Sequence, residues 1–176
     1  GFSLTLPAAW RPGTRKGVAE IRCFYSADGE TWRDAGAVCD GGALGQRQWA
    51  GAALYDDGEP YLNYTAAGRD DADELTYTQR IAVAHGGAVT ADESGVELEG
   101  PWTHDTLLEP DGEWYETEAQ SRGMTYTFRD PWFFEDPETG ETHLLFEANA
   151  PAPEREGDDA ETSRRSRGPR RTTGRG

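Results

Sequence analysis

Between Val18 and Asn149 the chain runs in short alternating stretches, each ended by residues that turn a backbone. EIRCFYS (20–26) ends at ADGE, RQWAGAALY (47–55) at DDGE, EPYLNYTAA (59–67) at GRDDAD, and LTYTQRIAVAH (75–85) at a Gly-Gly pair. In the last run Leu75, Tyr77, Ile81 and Val83 share one face of an extended chain, while Thr76, Thr78 and Arg80 share the other. That is the period of two expected of a strand. Asp-Gly at 28–29 and at 57–58 marks turns, because glycine tolerates positive φ. No window keeps a helical period. Short strands at roughly even spacing predict an all-β sandwich, barrel or propeller rather than an α/β sheet. A propeller blade takes four strands in about 40–50 residues, so the ordered part would supply about three blades. Three blades do not close a ring.

The length of 176 residues suits one domain and allows a sizeable core. The chain opens at Gly1 with no methionine and no charged-then-apolar leader, so neither a signal peptide nor a membrane span is read from it. Charge is uneven along it. Residues 1–150 carry 28 acidic and 10 basic side chains, a net of −18, and the only lysine of the chain is Lys16. Residues 151–176 carry 5 and 7, a net of +2.

An acidic, lysine-poor surface stays hydrated in concentrated salt, where repulsion between its carboxylates is screened. The first 150 residues therefore read as salt-adapted, with too many aromatic and β-branched residues for an acidic disordered chain. The same charge argues against nucleic acid as a partner of the folded part. Cys23 and Cys39 make neither a metal-site spacing nor a disulfide framework. Two buried thiols are expected, and a single bridge between them is the alternative.

From Pro151 the sequence APAPEREGDDAETSRRSRGPRRTTGRG (150–176) has no aromatic, Val, Ile or Leu residue. It cannot bury enough apolar area to offset its ordering entropy, so residues 151–176 are expected to be a disordered Arg-rich tail after a folded unit spanning 1–150. An Arg-rich tail could bind an anionic surface. A GC-rich gene read out of frame yields the same composition, and the abruptness of the change favours that origin.

Polar residues set among aromatics recur at two places, QRQWAG (46–51) and FRDP (128–131). A sugar site uses this mixture: an aromatic face packs on the apolar side of a ring, while Arg and Asp bind hydroxyls in paired fashion. For any one tryptophan, a place in the core is the simpler role. For Arg129 and Asp130, a solvated turn pair is the simpler one.

RDPWFFEDPETGETHLLFEAN (129–149) closely resembles the RDP block of the levansucrase and inulosucrase family, glycoside hydrolase family 68, in which the RDP aspartate is followed by an aromatic strand, an acidic hairpin and FEAN. QRQWAGAALY (46–55) resembles that family's EWSGSA block, and LNYTAAG and TQRIAVAH match the strands between more loosely. The resemblance covers about residues 18–150. It implies part of a five-bladed β-propeller with a central funnel, and retaining fructosyl transfer from sucrose to a fructan, another sugar or water. It also implies an extracellular enzyme, monomeric when complete, with sucrose and fructan or sugar acceptors as partners, no membrane or nucleic-acid partner, and no cofactor. In a retaining mechanism one carboxylate is the nucleophile and a second is acid and then base. By resemblance Asp130 is a third carboxylate, the transition-state stabiliser; Trp49 and Arg129 bind substrate with it, Arg129 holding Asp130 ionised. Ala50 and Glu147 support them.

The departures are specific. No Trp-Asp block like the family's nucleophile motif occurs before Trp49, and no acid/base block follows FEAN. Ala50 stands where the family has a serine, and Gln48 where it has a glutamate. Met124 occupies the position at which the calcium-binding branch has an aspartate, so no metal is expected. The resulting expectation is a piece of a levansucrase-like fructosyltransferase from a halophilic source, itself inactive. The alternatives are a related propeller glycosidase acting on fructans or arabinans, and a non-catalytic sugar-binding β-module.

Overall fold

The computed structural model describes residues 2–5 (as backbone), 19–39, 41–122 and 126–152. Eleven strands are present among them: β1 (Phe2–Thr5), β2 (Glu20–Tyr25), β3 (Arg33–Ala37), β4 (Arg47–Asp56), β5 (Glu59–Ala67), β6 (Gln79–His85), β7 (Ala88–Asp92), β8 (Gly95–Glu99), β9 (Thr103–Leu108), β10 (Phe128–Glu135) and β11 (Thr142–Ala148). The described residues contain no helix, as the missing 3.6-residue period predicts. Met124, and the tail read from Pro151 apart from its first two residues, lie outside the described residues.

The central unit is a four-stranded antiparallel sheet in the order β4-β5-β6-β9, with the β7-β8 ribbon inserted before its last strand. A three-stranded sheet, β1-β2-β3, lies to one side and the β10-β11 hairpin to the other. The β4-β5 hairpin closes through Asp57 and Gly58, with Asp56 paired to Glu59. Both turn residues have positive φ, 44° and 86°, the backbone that Asp-Gly favours at a two-residue hairpin loop.

Both faces of the central sheet are buried, because it packs against a neighbour on each side. Leu62, Tyr64 and Ala66 of β5, with Ala82 and Ala84 of β6, join Ile21 and Val38 in one apolar cluster. The alternate residues Thr65, Ala67, Gln79 and Ile81 lie on the opposite face and are also buried. There Thr65 and Gln79 bond to the β10 segment.

The strand expected from Leu75 starts only at Gln79. The intervening backbone is committed to side chains: the Thr76 N–H donates to Gln46 Oε1 at 2.9 Å, and the Thr76 carbonyl accepts from Arg47 Nη2. Leu75 and Tyr77, whose spacing suggested a core face, are half exposed. Cys23 and Cys39 are both thiols with no bridge between them, but only Cys23 is buried as expected; Cys39 is half-buried.

Candidate active site

Arg129 and Asp130 follow Phe128 at the start of β10. Arg129 pairs with Glu147 of β11, but the register shifts between Arg129 and Trp132, so Asp130 and Pro131 form a bulge. Pro131 is tolerated there because the ladder requires no N–H from it. Asp130 has a φ of 60°, in the left-handed region. For a residue that precedes proline this is a strained backbone, which persists only where its surroundings enforce it. Here the Asp130 N–H donates to Thr65 Oγ1 at 2.9 Å, and Thr65 is fully buried in β5. The bulge is thus pinned to the central sheet while the Asp130 carboxyl stays half exposed.

The Arg129 guanidinium is shared. Its Nε donates to Glu147 Oε2 at 3.0 Å and lies 3.5 Å from Asp130 Oδ2. Partial burial pushes the Asp130 carboxyl above its ordinary pKa; Arg129 opposes the shift and the Glu147 charge adds to it. Arg129 favours ionised Asp130 but burial outweighs it, and the hydrogen bond of Arg129 goes to Glu147 rather than Asp130.

Trp49 pairs with Thr65 across β4 and β5. Trp49 and Asp130 therefore meet the same threonine, one as strand partner and the other as hydrogen-bond donor. A second bulge, between Trp49 and Gly51, leaves Ala50 without a strand partner. A Cβ on Gly51 would lie 2.5 Å from the Asn63 carbonyl oxygen, so this glycine permits a close approach of the β5 backbone. Trp49 and Asp130 thus meet at Thr65, with Ala50 next to Trp49 in the chain and Arg129 and Glu147 joined beside Asp130.

Thr65 and Gln79 also belong to the site, although no sequence block marks them. Gln79 is buried in β6 and serves as a surrogate strand partner, its Oε1 accepting from the Phe128 N–H at 3.0 Å and its Nε2 donating to the Tyr126 carbonyl at 3.2 Å. The signal for these residues was polar side chains in otherwise apolar strand runs. A buried polar group needs a partner, and here the partner is the next strand's backbone. Among the described residues, no cluster of three or more His, Cys, Asp or Glu side chains could hold a metal ion.

A partly exposed arginine-aspartate pair on a pinned bulge, linked through Thr65 to a tryptophan, suits the binding of a hydroxylated ring, and the relatives of the chain are enzymes of sugars. The family model described as Levansucrase/Invertase matches residues 5–173. A levansucrase of Pseudomonas savastanoi pv. glycinea is 38% identical over 138 residues, covering 77% of this chain and 31% of that protein. An inulosucrase from Halalkalicoccus jeotgali, solved bound to kestose, superposes with a TM-score of 0.84 at 63% identity, over 91% of this chain and 40% of that one. A β-fructofuranosidase from Microbacterium saccharophilum K-1 follows at 32% identity and a TM-score of 0.72, over 85% and 32% of the two chains. The chain thus spans about a third of the length of the curated relatives it matches. The fold class is the expected one, an all-β part of a five-bladed β-propeller, and the chain belongs to the levansucrase/invertase family, glycoside hydrolase family 68.

Proposed function

We propose that the chain is a piece of a fructosyltransferase that uses sucrose as fructosyl donor, and that it carries the transition-state stabiliser, Asp130, together with part of the sugar site. The observation that supports this reading most is the pinned bulge: a strained backbone at Asp130, bonded to buried Thr65, with Arg129 and Glu147 beside its carboxyl. Strain of this kind is kept where a side chain must be aimed. In retaining fructosyl transfer, positive charge develops on the sugar ring as the bond to the leaving group breaks. A carboxylate fixed beside that ring stabilises the charge without attacking it. Trp49 packs on the ring's apolar side, and Arg129 donates to its hydroxyls.

The sequence holds no motif for the nucleophile or the acid/base, so these 176 residues are inactive in transfer in this proposal. An extracellular location goes with the reading; one relative is an extracellular sucrase of Zymomonas mobilis, 32% identical over 136 residues. The test joins the segment to the nucleophile and acid/base portions of a family member and follows glucose release from sucrose. Asp130→Asn in that protein should lower kcat by at least about a hundredfold while changing KM little, because the lost interaction strengthens in the transition state. Retention of most of the turnover would remove Asp130 from this role.

A further inference from the structure

Arg47 is the largest fully buried side chain in the described part of the molecule, with 1% of its surface exposed. A guanidinium in that position needs compensation, since an unpaired buried charge is costly. No ion pair provides it: Arg47 forms none among the described residues, and its Nε and Nη1 have no hydrogen-bond partner there. What surrounds the charge is aromatic. The guanidinium carbon lies 5.3 Å from the centre of the Trp49 ring and 5.1 Å from that of Tyr77, within cation-π range of both. Its Nη2 donates to the Thr76 carbonyl, on the segment that carries Tyr77. Burial lowers the Arg47 pKa, but an arginine keeps its charge at neutral pH.

The same segment is fastened beside Arg47 by its neighbour in sequence. Gln46 Nε2 donates to the carbonyls of Ala72 at 2.9 Å and Glu74 at 2.8 Å, and its Oε1 accepts from the Thr76 N–H. Gln46, just before β4, and Arg47, its first residue, thus hold residues 72–77. Through Arg47 the segment is connected to the indole of Trp49, and through Thr65, the strand partner of Trp49, to the Asp130 bulge.

We infer that Arg47 is a positioning residue for the sugar site: it sets the orientation of the Trp49 ring and ties that ring to the 72–77 segment through Tyr77 and Thr76. Arg47 touches no substrate in this arrangement. It fixes the aromatic face on which a furanose ring of a sucrose-type sugar packs. Two aromatic rings around one desolvated cation also explain the choice of arginine over a neutral side chain. A leucine or methionine would fill the volume, but it would neither attract both rings nor donate to Thr76. The inference rests on the sugar-site reading above for the identity of the ligand, but not for the coupling of Arg47 to Trp49.

The test uses the full 176-residue chain labelled with 5-fluorotryptophan in molar KCl, followed by fluorine NMR with and without sucrose. The Trp49 signal is assigned by its loss in Trp49→Phe. In Arg47→Met, with strand content checked by circular dichroism, the Trp49 signal is expected to move or broaden before any sugar is added, and the sucrose dissociation constant to rise about tenfold. Arg47→Lys, which keeps a cation between the rings, should recover part of both effects. Tyr77→Leu, at a half-exposed position that does not threaten folding, should disturb the same signal through Arg47. An unchanged Trp49 signal in Arg47→Met and Tyr77→Leu overturns the inference. A perturbed signal that never responds to sucrose, in the parent chain as well, upholds the coupling and rejects the sugar-site reading instead.

Discussion

Thr65 Oγ1 lies 2.9 Å from the backbone nitrogen of Asp130, 65 residues further along the chain. This bond joins the central sheet to the β10 bulge and gives a partly buried N–H its acceptor. Thr65→Val keeps the shape but removes the acceptor, and should cost about 1–3 kcal/mol, the penalty of an unsatisfied group. Thr65→Ser keeps the oxygen and should cost less. Urea unfolding in molar KCl measures both; equal losses for the two variants would show that packing, not the hydrogen bond, is what Thr65 supplies.

Gly51 is the second backbone-level constraint of the site. Because a Cβ there would lie 2.5 Å from the Asn63 carbonyl oxygen, Gly51→Ala forces β4 and β5 apart beside Trp49. A loss of about 1–3 kcal/mol is expected, as for other overpacked positions. At Gly29 an added Cβ would meet nothing within 4 Å but the φ is 77°, so the same change should cost less there, through backbone strain alone. Comparing the two unfolding midpoints checks the difference.

The Asp130 carboxyl predicts a pH dependence. Its pKa is raised in the folded chain, so the fold binds a proton more tightly than the unfolded chain does. The stabilising contribution is complete below the unfolded value, near 3.8, and is lost as pH rises through the folded value. At pH 7 the ionised group therefore costs stability. Asp130→Asn should melt slightly higher than the parent at pH 7, by about 1–2 °C after allowance for its exposure, with the gain fading at pH 3. A group kept at the expense of stability is typical of a functional position. An Asp130→Asn chain that melts lower at pH 7 would contradict this account.

Salt is expected to govern folding. With a net of −18 over residues 1–150, carboxylate repulsion acts over a Debye length of about 10 Å in 0.1 M salt but only about 3 Å at 1 M. Strand content and melting temperature by circular dichroism should both rise from dilute buffer to molar KCl. Identical melting in the two would remove the salt-adapted reading.

Much of this architecture was legible because turn chemistry and alternation are local. The Asp57-Gly58 hairpin and strands β2, β4 and β5 follow directly from their residues, to within one position at each end. The start of β6 did not follow, because Thr76 bonds to Gln46 and Arg47 some 30 residues earlier, and alternation carries no record of such a partner. The site was legible in part for the same reason. RDP and QWAG could be read as blocks, whereas the roles of Thr65 and Gln79 exist only once β10 packs against β5 and β6. Arg47 showed the reverse problem: an arginine at the head of a strand looks solvent-facing, and only the two rings that cover it make burial tolerable.

The outer face of the β10-β11 hairpin carries the last prediction. Trp132 pairs with Leu145 and Phe134 with His143, which sets these four side chains on one face. Trp132 is 64% exposed, Leu145 54% and Phe134 44%. The alternate residues, Phe133 and Leu144, are half-buried and line a cavity with Asn63 and Val83 of the central sheet. Large contiguous apolar surface of this kind is uncommon on soluble monomers and marks a surface that binds or aggregates. Among the described residues β11 has no strand partner other than β10, so its outer edge lies open beside this face. Trp132→Lys combined with Leu145→Lys should therefore reduce binding of a hydrophobic dye and raise the concentration at which the chain stays monomeric in sedimentation, with little change in strand content. Both side chains project away from the central sheet, so the hairpin should keep its pairing. Unchanged dye binding and association in the double variant would place the adhesive surface elsewhere on the chain.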